Sequence, residues 1–155
     1  MPEPLAPLLR VCSLLNDAEA KYLVVGAQAC ILHGLVRTTE DVDILIEESE
    51  ENCRRVLEAL SRMEDGAAKE LTPRDLLENV VVKIADEVEV DVSTRAWKVS
   101  YQDAIGLALE TTLEGVRVPY LNLDKLIESK DTYREQDQID RARLLHLRQQ
   151  GQSGD

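Results

Sequence analysis

Leu5, Leu8, Leu9, Cys12 and Leu15 recur at helical spacing, which predicts an amphipathic helix from about Pro4 to Ala20. Tyr22-Leu-Val-Val25 is a short unbroken apolar run closed by Gly26, the pattern of a buried strand. Ala27 to His33 is compact and apolar enough for a short helix, with Gly34 as its stop. In Asp41-Val-Asp-Ile-Leu-Ile46 the pattern changes to alternation: Val42, Ile44 and Ile46 share one face of a strand, and Asp41, Asp43 and Leu45 the other.

Further along, Glu48 to Met63 reads as a charged amphipathic helix, and Pro73 opens a short one. Val80 to Ala85 and Glu87 to Ser93 alternate around Asp86, as the arms of a hairpin do. A short helix over about 101–109, a strand or hairpin over 116–121, and helices over 124–133 and 136–149 complete the series. The sum is an α/β (α+β) domain, a small mixed sheet flanked by helices. One domain is expected over residues 1–148, with a disordered tail over 149–155.

A chain of 155 residues is long enough to bury one substantial core. Its 30 acidic residues against 18 basic ones leave a net charge of −12, which argues against bulk nucleic-acid binding through phosphate neutralisation. Phe is absent and the aromatics are Trp97 and four Tyr, so no platform for stacked bases is expected. The apolar run Tyr22 to Val25 is far short of a membrane span, and the N-terminal residues make a poor signal peptide. Cys12, Cys30 and Cys53 fit neither a disulfide framework nor a metal motif; buried reduced thiols in a cytoplasmic protein are the expectation.

Candidate chemistry centres on Asp41-x-Asp43. Carboxylates two apart on a strand project to one side, where each raises the cost of the other's charge and a hard divalent cation is the natural partner. The Gly26 turn lies just before this strand, and amides opening a helix are ready phosphate ligands. A second acidic strand, Glu87-Val-Glu-Val-Asp91-Val, aligns Glu87, Glu89 and Asp91 on one face. A solvated strand face accounts for the two glutamates. Asp is out of place inside a strand, so Asp91 is the choice for a third ligand.

These pieces resemble a known group. Val24-Val-Gly-Ala-Gln-Ala-Cys-Ile-Leu-His-Gly34 followed by Arg37-Thr-Thr-Glu-Asp-Val-Asp-Ile-Leu-Ile46 is similar to the signature of minimal nucleotidyltransferases of the polymerase-beta-like superfamily. The AbiEii-like toxin nucleotidyltransferases and their small relatives are the nearest likeness. Leu126-Ile-Glu-Ser-Lys130, then Arg134, Asp137 and Asp140, resembles that group's closing pattern. The resemblance implies transfer of a nucleoside monophosphate from an NTP to an acceptor, with pyrophosphate released. By position it implies Asp41, Asp43 and Asp91 as metal and catalytic residues for Mg²⁺ or Mn²⁺. It likewise implies Gly26, Ala27, Arg37 and Lys130 at the nucleotide. Two departures stand out: the group's Gly-Gly or Gly-Ser is Gly26-Ala27 here, and its closing Lys-Asp is Gln136-Asp137.

Several residues carry plainer readings beside these. His33 reads as a helix-end or packing residue, His146 as solvated, and Trp97 as core or a protected edge. Arg37 has a second reading as the partner of Glu40 or Asp41, and Lys130 as an exposed helix residue near Glu128 and Asp131. Asp137 and Asp140 have one as a helix cap and first-turn acids. The acceptor, whether RNA, protein or a small molecule, is not legible. The departures also allow a second class of function: a non-catalytic chain of the same fold that binds a cognate protein in a regulatory or toxin–antitoxin pair.

Overall fold

The computed structural model describes residues 5–153. Helix α1 (Ala6–Asp17) leads into β1 (Tyr22–Val25), α2 (Gly26–Leu32), β2 (Val42–Ile46) and α3 (Glu50–Leu60). A 3-10 turn (Ala67–Glu70), α4 (Pro73–Glu78), β3 (Val81–Ala85) and β4 (Glu89–Ser93) follow. Then come α5 (Tyr101–Ile105), β5 (Leu109–Leu113), β6 (Val116–Tyr120), α6 (Leu123–Ser129) and α7 (Glu135–Ser153). The six strands form one mixed sheet in the order β3-β4-β2-β1-β6-β5.

All four residues of β1 are buried, so both faces of the sheet are covered at its centre. β1 runs antiparallel to β2 and parallel to β6, while β2 runs parallel to β4. Helix α1 contributes Leu8, Leu9, Val11, Cys12, Leu14 and Leu15 to the core and packs on β2, β6 and α3. The three thiols are buried and free, and burial pushes Cys12 and Cys30 up to about 11. That leaves them protonated and inert at neutral pH.

Local chemistry sets several boundaries. Ser49 accepts the Asn52 amide and starts α3 two residues later than expected, and Glu50 and Glu51 sit at the positive end of its dipole. Asn52 is buried and tied to both backbone polar groups of Lys21, which fixes α3 against the entry to β1. The β3–β4 hairpin turns at Asp86 as expected. The Asp86 carboxylate accepts the amides of Asp65, Ala67 and Glu87. Burial alone would raise Asp86, but those amides outweigh it and hold the carboxyl below its ordinary value.

Three expectations change. The helix over 101–109 stops at Ile105, and Leu109–Leu113 becomes β5, an edge strand whose mostly exposed side chains leave no alternation to read. Helix α1 ends at Asp17 rather than Ala20, and its expected start at Pro4 lies outside the described residues. Helix α7 continues to Ser153, through residues expected in the tail, and the last two residues lie outside the described range. No helix among the described residues is long and apolar enough to cross a membrane.

Candidate active site

The parallel register of β2 and β4 sets Asp43 beside Asp91. Val42, Ile44, Val90 and Val92 turn to one buried face of the sheet, and the two carboxylates share the other, where Leu45 is also buried. Burial, then the hydrogen bond and charge of Asp91, push the Asp43 carboxyl up to about 7 from an ordinary 3.8. Lys130 opposes that rise electrostatically, which places its ammonium within range of the pair.

Gly26 follows β1 with φ +67, a left-handed conformation that suits glycine. A Cβ built there would lie 2.0 Å from Asp43 Oδ2 and 2.8 Å from its Cγ. The absent side chain of Gly26 is therefore the space that the Asp43 carboxylate fills. Ala27 is buried directly behind it in α2, so the second residue of the expected phosphate turn contributes backbone rather than side chain.

One strand step back, Asp41 stands against Glu89, whose carboxyl is raised by its hydrogen bond to Asp41 and by the charge of that residue. Lys83, the partner of Asp91 on β3, reaches Glu89 Oε1 at 3.6 Å and Asp91 Oδ1 at 3.9 Å. Asp91, then Glu89, hold this exposed ammonium above its ordinary value. Glu89 keeps the half-exposed place expected of it, and Asp41 and Lys83 join it there. Strand pairing supplies both.

Lys130 is 6% exposed, not a surface residue near Glu128 and Asp131. Its Nζ lies 2.9 Å from Asp140 Oδ2 and 3.4 Å from Asp137 Oδ1. Arg37 Nε donates to Asp140 Oδ1 at 3.0 Å, so its partner is this distant acid rather than Glu40 or Asp41. Gln136, at the position of the second departure, donates to the same Asp140 oxygen at 3.1 Å, and Thr132 donates to Asp137. Burial works to raise Asp140. Hydrogen bonds from Arg37 and Lys130 prevail and hold it below its ordinary value. Asp137 and Asp140 do occupy the first turns of α7, but they also bind a buried cation network that joins α6, α7 and the segment after α2.

A cleft of about 310 Å³ brings Gly26, Asp43, Asp91 and Lys130 together, with Arg95, Arg134, Trp97 and Tyr133 also in its lining. Trp97 is not in the core. It is 44% exposed, has φ +60, and meets the ring of Tyr133 edge-on at 6.4 Å. His33 behaves as expected: it caps α2, contacts the Leu121 carbonyl at 2.8 Å, and packs edge-on against Tyr120.

A divalent cation matches the chemistry of this donor set. Asp91 Oδ1 is buried without a hydrogen-bond partner, and two carboxylates face each other where one cation would relieve both. Among the described residues, however, no three His, Cys, Asp or Glu side chains converge at metal-ligand spacing. Asp43 and Asp91 form the close pair, and Asp41 stands beside it with Glu89.

No family model matches the chain, and no curated protein matches it by sequence. Solved structures do. A protein of Thermotoga maritima provisionally named a nucleotidyltransferase aligns over 94% of this chain and 92% of its own, with TM-score 0.58 and 16% identity. An antigenic nucleotidyltransferase-like protein of Paracoccidioides brasiliensis aligns over 94% and 77%, with TM-score 0.55 and 18% identity. The chain thus has a nucleotidyltransferase-like fold.

Proposed function

We propose that the protein is a divalent-metal-dependent nucleotidyltransferase. It would move a nucleoside monophosphate from an NTP to a hydroxyl acceptor and release pyrophosphate. The observation that carries this reading is the Asp43–Asp91 pair, with Asp43 seated over the bare backbone of Gly26, in a cleft that Lys130 also lines. Asp43 and Asp91, with Asp41 beside them, are the residues to hold Mg²⁺ or Mn²⁺. Such a cation supplies charge neutralisation for the triphosphate and lowers the pKa of the attacking hydroxyl.

The chain's own residues do the positioning. Gly26 leaves the room in which the Asp43 carboxylate sits at the cleft. Burial and the neighbouring Asp91 raise the Asp43 carboxyl, a cost that a cation bound between the two acids would relieve. Arg134 lines the same cleft and offers charge to an anion there, while Arg95, also in the lining, is ion-paired with Glu48. A cytoplasmic setting suits the reduced thiols and the NTP, and kinship with the AbiEii-like toxins belongs to the same proposal.

A second reading has a specific observation in its favour. Lys130 and Arg37 are both engaged by Asp140, and no three-ligand cluster is preset among the described residues. A chain that keeps the fold as a regulatory or toxin–antitoxin binding partner would tolerate both features. One experiment separates the readings: calorimetric titration of each NTP with Mg²⁺ or Mn²⁺ into the wild type, Asp43→Asn and Asp91→Asn. Metal-dependent binding that both substitutions abolish supports transfer, which pyrophosphate release with candidate acceptors then identifies. Absence of binding in the wild type overturns it.

A further inference from the structure

The chain is poor in aromatic side chains, with one Trp, four Tyr and no Phe. Tyr22 and Tyr101 are buried and Tyr120 packs on His33. The remaining two, Trp97 and Tyr133, are 44% and 84% exposed, touch each other, and stand together on the lining of the acid cleft.

The backbone does not favour this placement of Trp97, although the Lys98 ammonium stands 6.0 Å from the indole centroid. Ala96 and Val99 exchange both backbone hydrogen bonds, at 2.8 and 3.1 Å, so Trp97 and Lys98 are the central pair of a two-residue turn. Trp97, the first of them, has φ +60, a position where such turns favour glycine. The turn therefore carries the least suitable type of residue for its backbone, and it holds that residue half out in water. Val80 and Val81, also exposed, extend the same apolar wall.

We propose that Trp97 and Tyr133 form the seat for the nucleobase of the nucleotide, which stacks there while its phosphates face Asp43 and Asp91. The inference rests on the nucleotidyl-transfer reading and adds to it the part of the substrate that the acids cannot recognise. Three features choose a base over a protein segment. The space is about 310 Å³, the size of a small-molecule site rather than a groove for a helix. The aromatic wall is continuous with the acid floor within one cleft. Arg134 lies in that lining too and offers charge to the phosphates, with Arg95 nearby held by Glu48. Too few rings are present to stack a strand, but two suffice for one base. A purine, with the larger π face, is expected to bind more tightly than a pyrimidine.

Because Trp97 is the only tryptophan, its fluorescence reports this wall alone. The test titrates ATP, CTP and inorganic tripolyphosphate, each with Mn²⁺, into the full chain, followed by Trp emission and by calorimetry. ATP is expected to bind more tightly than CTP and to quench Trp97. Tripolyphosphate is expected to bind without quenching. Trp97→Gly, which suits the left-handed turn, should weaken ATP by roughly tenfold or more, the scale of one base on one ring. Trp97→Phe should restore most of it, and neither change should alter tripolyphosphate binding. Tyr133→Ala, at a largely exposed position, provides a second variant that leaves the core alone. ATP binding unchanged in both Trp97→Gly and Tyr133→Ala overturns the base seat and leaves the nucleotidyl-transfer reading standing. No binding of ATP or tripolyphosphate overturns both.

Discussion

Gly26→Ala gives the most direct test of how the acids are held. The added Cβ would sit 2.0 Å from Asp43 Oδ2 and 2.9 Å from its Cβ, where ordinary contact begins near 3.4 Å. The carboxylate must retreat by more than an ångström, and the backbone must keep φ +67 with a side chain attached. The left-handed backbone costs about 1–2 kcal/mol, and driving Asp43 off its rotamer adds about 1 kcal/mol. The expected loss is about 2–3 kcal/mol, read by urea denaturation with circular dichroism. Calorimetry on the same variant should show metal-dependent NTP binding lost, because Asp43 no longer faces Asp91. A double-mutant cycle isolates the steric part. In an Asp43→Ala background the Oδ2 and Cγ contacts are gone, so Gly26→Ala should cost about 1 kcal/mol less than in the wild type. Equal costs in the two backgrounds would refute the claim that this glycine exists to seat the carboxylate.

The pKa of Asp43 gives the second expectation. Folding raises it from about 3.8 to about 7, so the native state binds the proton more tightly than the unfolded chain. Stability without metal should fall as pH rises from about 4 to 7, by about 2 kcal/mol given the side chain's partial contact with water. Asp43→Asn should flatten that slope in chelator-treated melts at pH 5 and 8, and parallel curves for variant and wild type would sink the assignment. Lys130→Met should cost about 3 kcal/mol in urea denaturation, since it leaves Asp137 and Asp140 buried without their ammonium; a loss under about 1 kcal/mol would mean that water reaches them. Trp97→Gly should melt above Trp97→Ala by the equivalent of about 1 kcal/mol, because φ +60 suits glycine, and the reverse order would remove strain from the account of this turn.

The chemistry on strands was legible because strand alternation is simple. Asp91 stands out as an Asp among valines, and parallel pairing then sets it against Asp43. Gly26 is readable as a strand-ending glycine, although its reason, the carboxylate above it, appears only in three dimensions. What stayed hidden depends on partners distant in sequence. Glu89 sits on the half-exposed face its pattern suggests, but its contact with Asp41 depends on β2. Lys130 looks exposed because its acids follow seven and ten residues later, beyond the break between α6 and α7. Arg37 lies 103 residues from Asp140, so nearby Glu40 and Asp41 were the natural candidates. Trp97 was misplaced since nothing in its neighbours signals a left-handed turn without a glycine.

Three locally unfavourable features meet in one cleft: a carboxyl raised by its neighbour, a buried carboxylate oxygen without a hydrogen bond, and a half-exposed Trp in a turn that suits glycine. Each lowers the stability of the fold, and none improves its packing. Left-handed non-glycine residues occur at Glu19 and Glu114 as well, but those two are not among the residues lining this cleft. Strain scattered over turns is what folding alone produces. Strain gathered around one pocket is what a ligand would relieve, a cation for the paired acids and a flat ring for the indole. The buried Lys130 network points the same way, since Lys130 and Asp137 line the pocket and lock α6, α7 and Arg37 together around it. A purely structural partner protein accounts for the locked walls but leaves the unfavourable lining unexplained, whereas the proposed nucleotide and metal would relieve that lining.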